Sequence, residues 1–84
     1  MAVSTQVTVG TTPTLLVPAN IADQSAYLHA GSKEVYIGGP NVTTANGYLM
    51  DHKDKLSVGV GDHEGLYGIT DTGTCLVYVL YQVN

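Results

Sequence analysis

Hydrophobic and polar residues alternate with a period of two along much of this chain. Val3, Thr5, Val7 and Val9 interleave with Ser4, Gln6 and Thr8. Successive side chains on a strand point to opposite faces, so this pattern predicts a half-buried β-strand. Gly10-Thr11-Thr12-Pro13 then turns the chain, and Thr14-Leu15-Leu16-Val17 predicts a second strand, stopped by Pro18. Residues 18–24 read as a loop with room for one helical turn. Strands are predicted at 26–30 and 34–38, separated by the turn Gly31-Ser32-Lys33.

Gly39-Pro40-Asn41 turns the chain again, and residues 42–45 fit a short extended piece or one helical turn. Asn46-Gly47 is a tight-turn signal, because both residues tolerate positive φ. A short apolar run follows at 48–50, then the polar stretch Asp51-His52-Lys53-Asp54, then the alternating residues 55–58. Residues 59–65 read as a glycine-containing loop, 66–69 as a strand and Asp71-Thr72-Gly73 as a turn. Residues 74–83 form the longest predicted strand. It is apolar on both faces: Cys75, Val77, Val79, Tyr81 and Val83 on one, Leu76, Tyr78 and Leu80 on the other. Such a strand lies centrally or has its outer face covered.

No stretch of ten residues carries helical spacing, and β-formers dominate with eleven Val, ten Thr and six Tyr. Strands at roughly ten-residue spacing predict an all-β fold, a small antiparallel β-sandwich or partly open barrel of about 7–8 short strands. With 84 residues, the chain is expected to form a single β domain over 1–84, with one core.

Charge changes the picture most. Three Lys, no Arg and seven acidic residues make only 12% charged, about half the usual ~25%. The net charge is −4. Small domains normally cover their large surface with charge, whereas the centres of protein–protein interfaces are depleted in it. The composition therefore points to a subunit that meets other protein. Three cations give no footprint for nucleic acid or anionic lipid. No apolar run approaches the length of a membrane helix. The first nine residues lack the basic and apolar regions of a secretory signal, so the expectation is production in a cytoplasm. The charge deficit is concentrated in residues 1–9 and the last eleven, which makes 1–9 the first candidate subunit-joining strand, through pairing at an open edge, and the outer face of the last strand, with Tyr78 and Leu80, the second.

Candidate chemistry is sparse. Asp62-His63-Glu64 and Asp51-His52-Lys53-Asp54 are the two titratable clusters. A metal site could draw on His52, His63 and their carboxylates. Adjacent strand residues diverge, however, so solvated tips are the simpler reading. His29 sits in an apolar strand and is expected half-buried with a hydrogen-bond partner. Cys75 could act as a nucleophile only with a positive charge beside it, and none is near in sequence, so it reads as a core residue. The glycines at 59, 61 and 65 do not keep phosphate-loop spacing, and Asp62 and Glu64 would repel phosphate. Asn41-Val42-Thr43 matches a glycosylation sequon, which has no bearing on a chain made in a cytoplasm. The six tyrosines suit half-wet interfaces. No catalytic, cofactor-binding or metal-binding residue is assigned, no cofactor is expected, and the chain is not expected to be an enzyme.

Val35-Tyr36-Ile37-Gly38, Asn41-Val42-Thr43-Thr44-Ala45-Asn46-Gly47-Tyr48, Leu66-Tyr67-Gly68-Ile69 and Gly73-Thr74-Cys75-Leu76-Val77-Tyr78-Val79-Leu80 together resemble small β-sandwich virion proteins of tailed bacteriophages. Val7-Thr8-Val9-Gly10-Thr11 belongs to the same likeness, which covers most of residues 7–80. It implies a structural role. The first choice is a capsid decoration (head-stabilising) protein on the virion surface, with the major capsid protein and copies of itself as partners. The alternatives are a small tail, baseplate or head–tail junction protein, or a host-surface glycan- or protein-binding module.

Overall fold

A computed structural model describes residues 2–84. In chain order its strands are β1 (Ala2–Val9), β2 (Thr14–Val17), β3 (Gln24–Ala30), β4 (Val35–Gly38), β5 (Tyr48–Met50), β6 (Lys55–Val60), β7 (Leu66–Ile69) and β8 (Cys75–Val83). They form two four-stranded antiparallel sheets, ordered β1-β8-β3-β6 and β2-β7-β4-β5. The fold is thus all-β, and a sandwich rather than a barrel. Met1, the first residue of the candidate joining strand, lies outside the described residues.

The core is the space between the sheets. The first sheet contributes Val9, Ala26, Leu28, Ala30, Val60, Cys75, Val77 and Val79; the second contributes Leu16, Val17, Val35, Ile37, Met50 and Leu66. Only β4 and β5 are both consecutive and paired. Every other connection crosses from one sheet to the other, so nearly all pairing is between distant parts of the chain.

Most strands lie where alternation places them, and four details differ. Gln24 does not end a loop but begins β3. It is only 1% exposed, and its Nε2 donates to the Pro18 carbonyl at 2.9 Å, which satisfies the buried amide. Strand β6 continues through Gly59 to Val60, which shortens the glycine loop to residues 61–65. Asn46-Gly47 does not use positive φ; among the described residues that conformation occurs only at Lys53, His63 and Gly73. Asn46 Oδ1 instead accepts from the Thr43 N–H at 2.7 Å, and the Gly47 N–H donates to the Thr43 carbonyl at 2.8 Å. Glycine is needed at 47 for space, because a Cβ there would lie 2.6 Å from Tyr36 Cβ and 2.9 Å from Thr43 O. Finally, β8 is central in its sheet, yet its outer face is left open: Tyr78 is 44% and Leu80 41% exposed.

Gly31 fastens three segments. Its N–H donates to the Leu76 carbonyl at 3.0 Å and its carbonyl accepts from the Lys53 N–H at 3.0 Å. A Cβ at this position would sit 2.7 Å from Leu76 O, a backbone atom that cannot swing aside. Gly31→Ala is therefore expected to lower stability by about 1–3 kcal/mol, as overpacking does. Gly10→Ala, with nothing within 4 Å of the new methyl, should stay within about 0.5 kcal/mol of wild type. Denaturant melts of the two variants against wild type check the contrast.

Candidate functional site

Strand parity and register assemble one broad outer face on the β1-β8-β3-β6 sheet. Ser4, Leu80, Tyr27 and Ser57 stand in one cross-strand row, and Gln6, Tyr78, His29 and Lys55 in the next. The eight side chains border an open groove of about 740 Å³. Tyr27, Tyr78 and Leu80 are its exposed apolar centre, at 48%, 44% and 41%. The His29 and Tyr78 rings lie side by side, centroids 6.0 Å apart and tilted by 36°. No carboxylate belongs to either row, although the chain as a whole carries net charge −4. Lys55, at the β6 rim, is the one permanent charge in the two rows.

The opposite sheet is different. Its outer face carries Leu15, Tyr67, Tyr36 and Leu49, but the loop after β4 folds back over it. Val42 is buried there, and a Cβ at Gly38 would lie 2.9 Å from Val42 Cγ2. Val42 and the buried Ile69 stand outside the main core cluster.

The titratable clusters serve as fasteners. In the first, the Asp51 N–H donates to Asp54 Oδ2 at 3.3 Å and the Asp54 N–H donates to the Asp51 carbonyl at 3.0 Å. The His52 N–H donates to Asp51 Oδ1 at 2.9 Å, with the His52 ring 3.1 Å from the same oxygen. These contacts, the backbone N–H first, hold the Asp51 carboxyl below its ordinary value of 3.8. Lys53, at φ 61°, lets the turn reach Gly31. In the second cluster, the Asp62 N–H donates to Asp23 Oδ1 at 3.0 Å and the His63 N–H to the Asn20 carbonyl at 2.6 Å. Both turns are exposed, and they lie at separate places in the fold. Among the described residues, no three His, Cys, Asp or Glu side chains gather closely enough to hold one metal ion.

Cys75 is 3% exposed in the core, with Sγ 3.5 Å from the Lys33 and Leu76 carbonyl oxygens. His29 is half-buried as expected, but its neighbour is the Tyr78 ring; among the described residues its side chain makes no hydrogen bond. None of the six tyrosines is fully buried. Sequence reasoning singled out the outer face of β8 but missed its extension through β3 and β6. The alternation at 27/29 and 55/57 was visible; which strands flank β8 was not.

Comparison with known proteins gives no match to a family model, a curated protein or a solved structure.

Two measurements follow from this geometry. The Cys75 thiol should resist a thiol reagent in the native protein and react at the unfolding rate, at least tenfold faster in denaturant. Asp51, with its carboxyl depressed in the fold, contributes stability that is present above its unfolded value and lost as pH falls through the folded one. Asp51→Asn should therefore flatten the acid limb of a melting-temperature profile below about pH 4, the unfolded carboxylate range, and leave the profile near neutrality unchanged in slope.

Proposed function

We propose that this chain is a structural subunit of a tailed-bacteriophage virion, a capsid decoration protein that docks on the outside of the head and stabilises the shell. The carrying observation is the open, acid-free face centred on Tyr27, Tyr78 and Leu80. Three large apolar side chains in two adjacent rows form a contiguous patch of the kind that marks interaction sites on small proteins. Aromatic side chains with their polar tips at the rim suit an interface that is dry at its centre and wet at its edge. A face whose one permanent charge is Lys55 fits a neutral or acidic protein surface. The virion assignment itself rests on the resemblance of sequence motifs across most of residues 7–80 to small phage β-sandwich proteins.

The mechanism is added interface. Each copy bridges neighbouring shell subunits, and a modest contact repeated over the particle resists outward genome pressure. The same tyrosines, with Gln6, His29 and Ser57 beside them, favour one other reading, a module for host-surface glycan. Affinity of the isolated protein for glycan, with no retention on purified heads, would select that reading instead.

Leu80→Lys and Tyr78→Lys place a charge at exposed positions of the face. Each is expected to keep the wild-type circular dichroism spectrum and to weaken affinity for purified heads at least tenfold, a loss of about 1.4 kcal/mol. Cryo-EM of decorated particles should find hundreds of copies on the head. A few copies at the tail tip would instead assign the chain to the tail or baseplate.

A further inference from the structure

The four sheet edges are not equally protected. Strand β2 is four residues long, with Pro13 before it and Pro18 after it. Strand β5 has three residues. Strand β6 opens on the exposed Lys55, directly after Asp54. Short length, flanking proline and edge lysine are the devices by which sheets avoid joining other sheets. Strand β1 has none of them. Its eight residues contain no charge, no proline and no glycine. They span about 27 Å, and residues 2–6 and 8 are exposed. One side of β1 pairs with β8 over its whole length, Ala2 to Val9. The backbone groups on its other side face outward.

We infer that the β1 edge joins a second copy of this chain, β1 against β1, giving a two-fold dimer with one continuous eight-stranded sheet. Charge favours this occupant. Two copies at net charge −4 repel each other, and neither β1 nor its neighbour β8 carries a charged side chain, so an approach along this edge brings no carboxylates together. Antiparallel pairing of a strand with its own copy has its two-fold axis perpendicular to the sheet, so opposed residues must share parity. Two centres use the strand well, Thr5 and Gln6. A centre at Gln6 needs Val9, which is fully buried and precedes Gly10, itself tied to Thr70 and Thr14. A centre at Thr5 uses the exposed span from Ala2 to Thr8. It sets Thr5 against Thr5 and Ser4 against Gln6, and it covers Val3 with Val7 of the second copy.

With the axis perpendicular to the sheet, both outer faces look the same way. The dimer presents two copies of the Tyr27, Tyr78 and Leu80 patch side by side, so a partner that engages one face meets the second at high effective concentration. The inference extends the assembly reading by naming a partner, but its readout is the mass of the isolated protein and stands apart from particle binding.

Edge pairing lies at the small end of protein interfaces, below about 1,200 Å², so micromolar self-association is expected. Sedimentation equilibrium over a concentration series should move from 8.8 kDa toward twice that mass. Amide exchange in residues 2–8 should slow in step with the dimer fraction. Thr5→Lys and Thr5→Glu each set like charges face to face at the dyad. Each should be monomeric at every concentration, with a melting curve that matches wild type at dilutions where wild type is itself monomeric, and an equimolar mixture of the two should regain the dimer mass. A wild-type mass that stays at the monomer value, protection gained elsewhere than β1, or a mixture that stays monomeric overturns the proposal. In the first case, retained binding to heads would leave the virion reading standing.

Discussion

The structure depends on the placement of β8. This strand pairs with β1 on one side and β3 on the other, and its inner row supplies the middle of the core. Yet it is the strand whose own pattern does least to choose a face. A slip of one residue would exchange Cys75, Val77 and Val79 for Leu76, Tyr78 and Leu80, one apolar set for another. Two constraints remove the ambiguity. The neighbours alternate clearly, with Ser4 and Gln6 outward on β1, and Ala26, Leu28 and Ala30 inward on β3. The inner row is also compact: two valines and a cysteine fill the space between the sheets, and a slip would force two leucines and a tyrosine into it, overpacking the core. Gly31 adds a local lock, since only a residue without a side chain fits against the Leu76 carbonyl.

This division explains what could be read from the chain itself. Strand positions follow from alternation and turn residues, because period-two patterning is a local property, and the runs at 3–9, 14–17, 66–69 and 74–83 lie close to the strands that form. Gln24 was misread because a polar side chain looks like loop until its partner, the Pro18 carbonyl, is known. Asn46-Gly47 misled in another way. The pair tolerates positive φ, but here the glycine answers crowding by Tyr36, Val42 and Thr43. The order of strands in each sheet was not legible at all. Seven connections join the eight strands, and only that between β4 and β5 is a hairpin. The rest is decided by packing between distant segments, and so the two rows across β1, β8, β3 and β6 became visible only in the fold.

Charge and architecture then tell one story. The ten charged residues occupy loops, turns and strand ends, among them the tight turns at 51–54 and 61–65 where side chains and N–H groups satisfy one another. The low charge count is not spread thinly over the surface. It leaves the strands of both sheets free of carboxylates, while the second sheet has its outer face partly covered by its own loop. A chain that fastens Val42 over one apolar face and leaves Tyr27, Tyr78 and Leu80 open on the other treats its two faces unequally.

The antiparallel ladder between β1 and β8 also sets how the domain bears force. Ala2 stands opposite Gln82, and Val9 opposite Cys75. Tension applied through Ala2 and Gln82 would therefore peel the ladder from one end, breaking its hydrogen bonds one after another at low force. Tension applied along the strands, through Ala2 on β1 and Cys75 on β8 at opposite ends of the ladder, shears many of those bonds at once and meets far greater resistance. The domain is mechanically anisotropic: compliant when this ladder is peeled from one end, stiff when it is sheared along its length.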